Sequence, residues 1–176
     1  NGEIGELQKI DSYATVGLLN GGSHLFDLLR YYAGNAEWVS GKVIPDGTSD
    51  PGAFGIIGFK NNVHATLDCR WRDYYYFKID LIGSRGILKV GGMVRSGKNV
   101  ELLKLEESQG ESSIFELKEI PIDEIEISSP YLNAVKTIVE NLDNGNINVN
   151  SGYEGKAALE IAMAFHESDK FGGHVK

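Results

Sequence analysis

The sequence predicts an α+β domain: an open, mostly antiparallel β-sheet with helices packed on one face. Three observations point there. An apolar period of the helical kind runs over about 22–32, strand-like segments follow one another from about 37 to 117, and helical periodicity returns after 129. A run of hairpins implies an antiparallel or mixed sheet, which can leave one face free for a partner.

The elements follow in order. Leu7 to Val16 alternates in places and reads as a strand. The turn from Gly17 to Ser23 then delivers the chain into a helix from about Gly22 to Tyr32. Leu25, Leu28, Leu29 and Tyr32 stand at i, i+3, i+4 and i+7, the stripe expected against a core, and Gly34 supplies the stop. Ala53–Phe59 and Val63–Trp71 flank Lys60-Asn61-Asn62, whose asparagines suit a tight hairpin turn. Tyr74–Ile82 is aromatic and β-branched, and Gly83-Ser84-Arg85-Gly86 turns it into Ile87–Val90. Val100–Leu105 and Ser113–Leu117 read as two more strands. Ser129 followed by Pro130 opens a second helix with the stripe Tyr131, Val135, Ile138 and Leu142, closed by Gly145. Ser151 with Glu154 three residues on predicts a capping box for a third helix, whose buried stripe is Ala158, Ile161, Ala162 and Phe165 and whose end is Gly172-Gly173.

Composition narrows the function classes. The 176 residues, 41% of them hydrophobic, suit one domain with one core. A net charge of -8 opposes nucleic-acid and anionic-membrane partners, since neither tolerates an acidic surface without a basic patch. One cysteine, Cys69, cannot form an internal disulfide, and a reducing, cytoplasmic setting is expected. No apolar run approaches the roughly 18–20 residues of a membrane span. The chain begins Asn1-Gly2-Glu3-Ile4 without a methionine, as expected of a part cut from a longer protein. The four histidines show no paired ligand spacing, so no metal site is expected, and Gly91–Gly97 fits neither phosphate-binding glycine motif.

Asn20 and His24, four apart at the head of the first helix, share a face. A cationic imidazole is disfavoured beside the positive end of a helix dipole, so His24 there would be a neutral base suited to taking a hydroxyl proton as hydride leaves the same carbon. Spacing alone leaves a second reading open, with Asn20 as helix cap and His24 incidental. Asp27 and Tyr31 continue the same stripe and would hydrogen-bond sugar hydroxyls or form an ordinary polar face. Asp68, Arg70, Arg72, Tyr74 and Tyr76 are candidates for a subunit interface.

The segment Gly21 to Gly34 resembles the G-x-H-x-x-D-x-x-R/H-aromatic…G stretch of the Gfo/Idh/MocA oxidoreductases. Gly2–Glu6, Ile82–Gly86 and Tyr153–Gly172 resemble, in order, the lead into that family's C-terminal domain, its I-x-G-x-x-G turn and its closing helix. The resemblance implies a single substrate-binding and oligomerisation domain over 1–176, with a glyceraldehyde-3-phosphate dehydrogenase-like fold. It implies further that the Rossmann domain, its NAD or NADP loop and an E-K-P lysine lie outside this chain, so that the 176 residues alone bind no cofactor. His24 then matches the active-site histidine and Asn20 a position often held by aspartate, an amide that orients a hydroxyl without taking its proton. Asp27, Tyr31 and Tyr13 are the expected substrate contacts. The implied function is oxidation or reduction of a sugar, sugar nucleotide or cyclitol in a homo-oligomer joined through the open sheet face, and the alternative is a non-catalytic dimerisation or ligand-binding module.

Overall fold

The computed structural model describes residues 2–91, 100–105, 116–122, 129–145 and 151–176. Within them the order is β1 (Leu7–Ala14), α1 (Gly21–Ala33), β2 (Ala36–Ile44), β3 (Gly52–Phe59), β4 (His64–Cys69), β5 (Phe77–Gly83), β6 (Gly86–Gly91), β7 (Val100–Leu105), β8 (Leu117–Ile120), α2 (Pro130–Asp143) and α3 (Gly152–Phe171). The strands form one open sheet in the order β2-β3-β4-β1-β5-β6-β7-β8. Every pairing is antiparallel except β1 with β4, where Lys9–Ala14 run beside His64–Cys69. The predicted α+β class and mostly antiparallel sheet are therefore present.

Alternation sorts the sheet into two faces. Ile10, Ala14, Ala65, Leu67, Cys69, Ala53, Ile57 and Val39 are buried toward the helices. Lys9, Asp11, Tyr13, Thr66 and Asp68 are partly exposed on the other face, with Phe54 and Ile56 more exposed still. The hairpin predicted at Lys60-Asn61-Asn62 forms, with Asn62 at φ 64. Of the last predicted strand, 113–115 lie outside the described residues; among those described, Leu117–Ile120 pairs with β7.

Two helix expectations need correction. The core stripe of α1 is Gly22, Leu25, Phe26, Leu29 and Ala33, rotated from the predicted Leu25, Leu28, Leu29 and Tyr32. Phe26 turns inward because it stacks on Phe165 of α3, ring centroids 6.0 Å apart, which leaves Leu28 and Tyr32 at the rim. The capping box of α3 does not form. Ser151 makes no side-chain cap, and Glu154 instead pairs with Arg30 of α1 at 2.8 Å. Ser129 does cap α2, its hydroxyl accepting the Leu132 N–H, yet Tyr131, Val135, Ile138 and Leu142 all remain exposed.

α3 is held on the sheet by the absence of two side chains. A Cβ at Gly41 would lie 2.4 Å from the Phe165 ring, and one at Gly55 2.9 Å from it, so the fully buried ring rests directly on the strand backbones. One turn later the Ser168 hydroxyl accepts the Gly41 N–H at 2.9 Å and donates to the Gly173 carbonyl at 2.6 Å. Val175 then exchanges two backbone bonds of 2.8 Å with Val39, covering part of the edge of β2. Gly41→Ala is expected to destabilise the domain by roughly 1–3 kcal/mol through overpacking, seen as a lower urea midpoint at unchanged slope.

Candidate functional site

The site grows from the place where β1 ends and α1 begins. β1 stops at Ala14 because the chain is taken over by its neighbours: Ala14 O accepts Arg70 N–H, and Thr15 N–H reaches Tyr76 O at 2.9 Å while Tyr76 N–H returns to the Thr15 hydroxyl at 2.7 Å. The turn through Gly17 then folds under the helix. Gly22 N–H donates to Gly17 O at 2.9 Å, and a Cβ at Gly22 would lie 2.9 Å from that same oxygen, so only glycine allows the closure.

Asp50, from the loop between β2 and β3, binds this turn. One carboxylate oxygen accepts Leu19 N–H at 2.7 Å and the other accepts Asn20 N–H at 2.9 Å. Its backbone carbonyl accepts the Trp71 indole N–H at 3.0 Å. Asn20 itself makes no side-chain cap, and the Ser23 hydroxyl donates to Asn20 O at 2.8 Å. Beneath the turn Cys69 is fully buried, its thiol donating to Val16 O at 3.0 Å. Burial, with Asp50 and Asp68 nearby, pushes that thiol up to about 12, which rules it out as a nucleophile at neutral pH.

His24 stands exposed on the first turn of α1, on the side away from the core, as the helical stripe predicted. Asp27 and Tyr31 lie exposed further along that side. Asp27 is 4.0 Å from Arg30, so its carboxylate faces a cation of its own helix, and Tyr31 packs edge-on against Tyr32. Tyr13 is separated from this helix stripe, at the end of β1 on the open sheet face. Its hydroxyl bonds that of Tyr74 at 2.9 Å and its ring meets Tyr76 at 5.8 Å. The Tyr74 contact, more than burial, pushes the Tyr13 phenol above its ordinary range, so it stays protonated as a donor. Of the proposed interface set, Asp68 and Arg70 pair with each other and Tyr74 with Tyr13, all partly or fully open to solvent.

Beside them, Asp11 accepts from Thr66 at 2.5 Å and pairs with Lys9 at 2.8 Å. Burial opposes the charge on Asp11, but the Lys9 and Thr66 hydrogen bonds outweigh it and hold the carboxyl below its ordinary range. Among the described residues no group of three or more His, Cys, Asp or Glu side chains converges as a metal site. No described helix is long and apolar enough to cross a membrane.

Asp50 and Trp71 are the residues bracing this turn that sequence reasoning did not single out. They are 30 and more residues from the helix head and carry no local motif; only the Ser49-Asp50-Pro51 turn chemistry marked the loop as shaped.

Residues 11–89 match the model of the GFO/IDH/MocA C-terminal domain. No curated protein matches by sequence. Among solved structures the fold is similar to a candidate NADPH-dependent oxidoreductase from Desulfitobacterium hafniense, at TM-score 0.79 and 17% identity over 99% of this chain and 57% of that one. It is similar also to levoglucosan dehydrogenase in complex with NADH, at TM-score 0.73 and 16% identity over 99% and 59%. The WlbA dehydrogenase from Bordetella pertussis, in complex with NADH and UDP-GlcNAcA, is similar at TM-score 0.69 and 15% identity over 99% and 56%. The chain thus spans less than two thirds of the length of these structures.

The Cys69 thiol is expected to resist a disulfide reagent at pH 8 in the folded protein and to react at once in denaturant. Fast labelling of the native protein would contradict the buried placement under α1.

Proposed function

On the premise that residues 11–89 belong to the GFO/IDH/MocA C-terminal domain, we propose that this chain is the substrate-binding half of an NAD(P)-dependent oxidoreductase. Its substrate is a sugar, sugar nucleotide or cyclitol, and His24 is the acid/base. The observation that carries the reading is His24 itself: an exposed imidazole on the first turn of a helix whose entry is tied down on three sides. Relatives of the same fold support the substrate class, since one is a levoglucosan dehydrogenase bound to NADH and L-sorbose and another is bound to UDP-GlcNAcA.

The chemistry asks little of this chain beyond position. Bound dinucleotide supplies the hydride acceptor or donor, and it is held by a Rossmann domain outside these residues. The imidazole of His24 takes the hydroxyl proton as the carbon–hydrogen bond breaks, and returns it in the reverse direction. Asn20, an amide, orients that hydroxyl without accepting its proton. Asp27 and Tyr31, further along the exposed side of α1, offer hydrogen bonds to the remaining hydroxyls, while Tyr13, on the open sheet face, stands outside this set. The setting is cytoplasmic.

The open face of the sheet is proposed as the contact between copies of the chain. Phe54 and Ile56, 47% and 40% exposed, stand together on β3, second from one edge of the sheet, beside the paired charges of Asp68 and Arg70. Exposed apolar residues bordered by charged ones are a common makeup of an interface.

In the full-length protein, His24→Ala should lower kcat for NAD(P)-linked oxidation across a panel of sugars and cyclitols by well over tenfold, with the circular dichroism spectrum unchanged. The 176-residue chain alone should give no NAD(P)H signal. Undiminished turnover by the variant would favour a non-catalytic binding or dimerisation module. Separately, Ile56→Glu should shift the sedimentation velocity toward a smaller species, and a wild-type monomer would dismiss the open face as an interface.

A further inference from the structure

We propose that Asp50 is a positioning residue for the catalytic end of α1, setting where His24 stands relative to the substrate; this rests on the role given to His24 above. The entry to α1 has no acidic residue of its own in its first turn and no side-chain cap from Asn20. The carboxylate that serves this entry comes from another part of the chain.

Asp50 meets the entry directly at three points, and Trp71 and Pro51 extend the contact. Its two carboxylate oxygens take the N–H groups of Leu19 and Asn20, at 2.7 and 2.9 Å. Its side chain fills the space that a side chain at position 17 would need, since a Cβ on Gly17 would lie 2.4 Å from its Cγ. Its carbonyl holds the Trp71 indole just beyond the end of β4, at 3.0 Å. The next residue, Pro51, accepts the Leu18 N–H at 3.0 Å. Hydrogen bonds from ionised acceptors are stronger than neutral ones, and both carboxylate oxygens are used on consecutive backbone donors.

The loop that carries Asp50 is braced in its turn. The Asp46 carboxylate accepts from both the N–H and the hydroxyl of Thr48, at 2.9 and 2.7 Å, and the Thr48 hydroxyl accepts the Asp50 N–H at 3.3 Å. The Thr48 contacts hold the Asp46 carboxyl below its ordinary range, so that brace persists to more acid pH than an unsupported carboxylate would allow. Loop, strand end and helix head are therefore locked together at one residue, through the carboxylate and the backbone carbonyl of Asp50.

A catalytic base is sensitive to such support. Displacement by about 1 Å can cost a reaction on the order of a hundredfold, because the proton must be taken along one line. Removing the carboxylate frees two backbone donors at the helix entry, and His24 is one turn beyond them.

The test reads His24 directly, without a substrate. In carbon–proton spectra of the histidine rings, Asp50→Ala should move the His24 resonances while those of His64, His166 and His174 keep their places. Trp71→Phe, which keeps an aromatic ring but removes the indole N–H that bonds the Asp50 carbonyl, should produce a smaller move. In the full-length protein, using the best substrate of the sugar panel, Asp50→Ala should lower kcat at least about tenfold with KM for the dinucleotide unchanged, and Asp50→Asn, which keeps one acceptor oxygen, should recover part of it. His24 resonances that stay fixed in these variants overturn the proposal, whatever the activity does. If Asp50→Ala fails to fold, Asp50→Asn and Trp71→Phe decide by the same criterion. Full activity in His24→Ala, by contrast, overturns the functional reading of the site and is a separate result.

Discussion

Phe165 lies flat on two strand positions that have no side chain, and the helical layer takes its position from that contact. Because Gly41 and Gly55 pair directly across β2 and β3, one bare patch on the sheet accepts one ring. α3 can then approach closely enough for Ser168 to satisfy Gly41, and Phe165 stacks on Phe26 to fix the rotation of α1. The exposed side of α1, with His24, Asp27 and Tyr31, is the complement of the side that Phe26 buries. A packing event at the far end of the sequence thus decides which residues of α1 face solvent.

Much of this was legible beforehand, for identifiable reasons. Hairpins announced themselves through local turn chemistry, as at Asn62, where a positive φ needs a residue that tolerates it. Alternation along Val63–Trp71 sets Val63, Ala65, Leu67, Cys69 and Trp71 on one side, of which the first four are buried and Trp71, past the end of β4, is 41% exposed. The stripe on α1 was misread by one step because Leu28 and Phe26 are both apolar, and only a tertiary partner, Phe165, chooses between them. The Ser151–Glu154 box failed for a similar reason: a half-buried arginine on a neighbouring helix competes successfully for the glutamate.

The candidate site divides along the same line. His24 could be proposed from spacing and resemblance, both of which are local. Asp50 could not, because its meaning lies in a contact with residues about thirty positions earlier. The substitution of asparagine at position 20 looked like a missing carboxylate. The fold brings the Asp50 carboxylate to the backbone N–H of that same residue from the loop between β2 and β3.

The one parallel pair in the sheet carries a consequence for how the molecule is made. β1 is the first strand in the chain, yet both its neighbours, β4 and β5, come after α1 and two further strands. During synthesis β1 emerges with both edges unpaired and stays so until residues 64–83 have followed it. Its pairings are long-range, and long-range strand pairing is slow to form and open to wrong partners meanwhile. Lys9 and Asp11 present opposite charges on one side of that waiting strand, and charges of this kind on an unpaired strand disfavour pairing with a wrong edge.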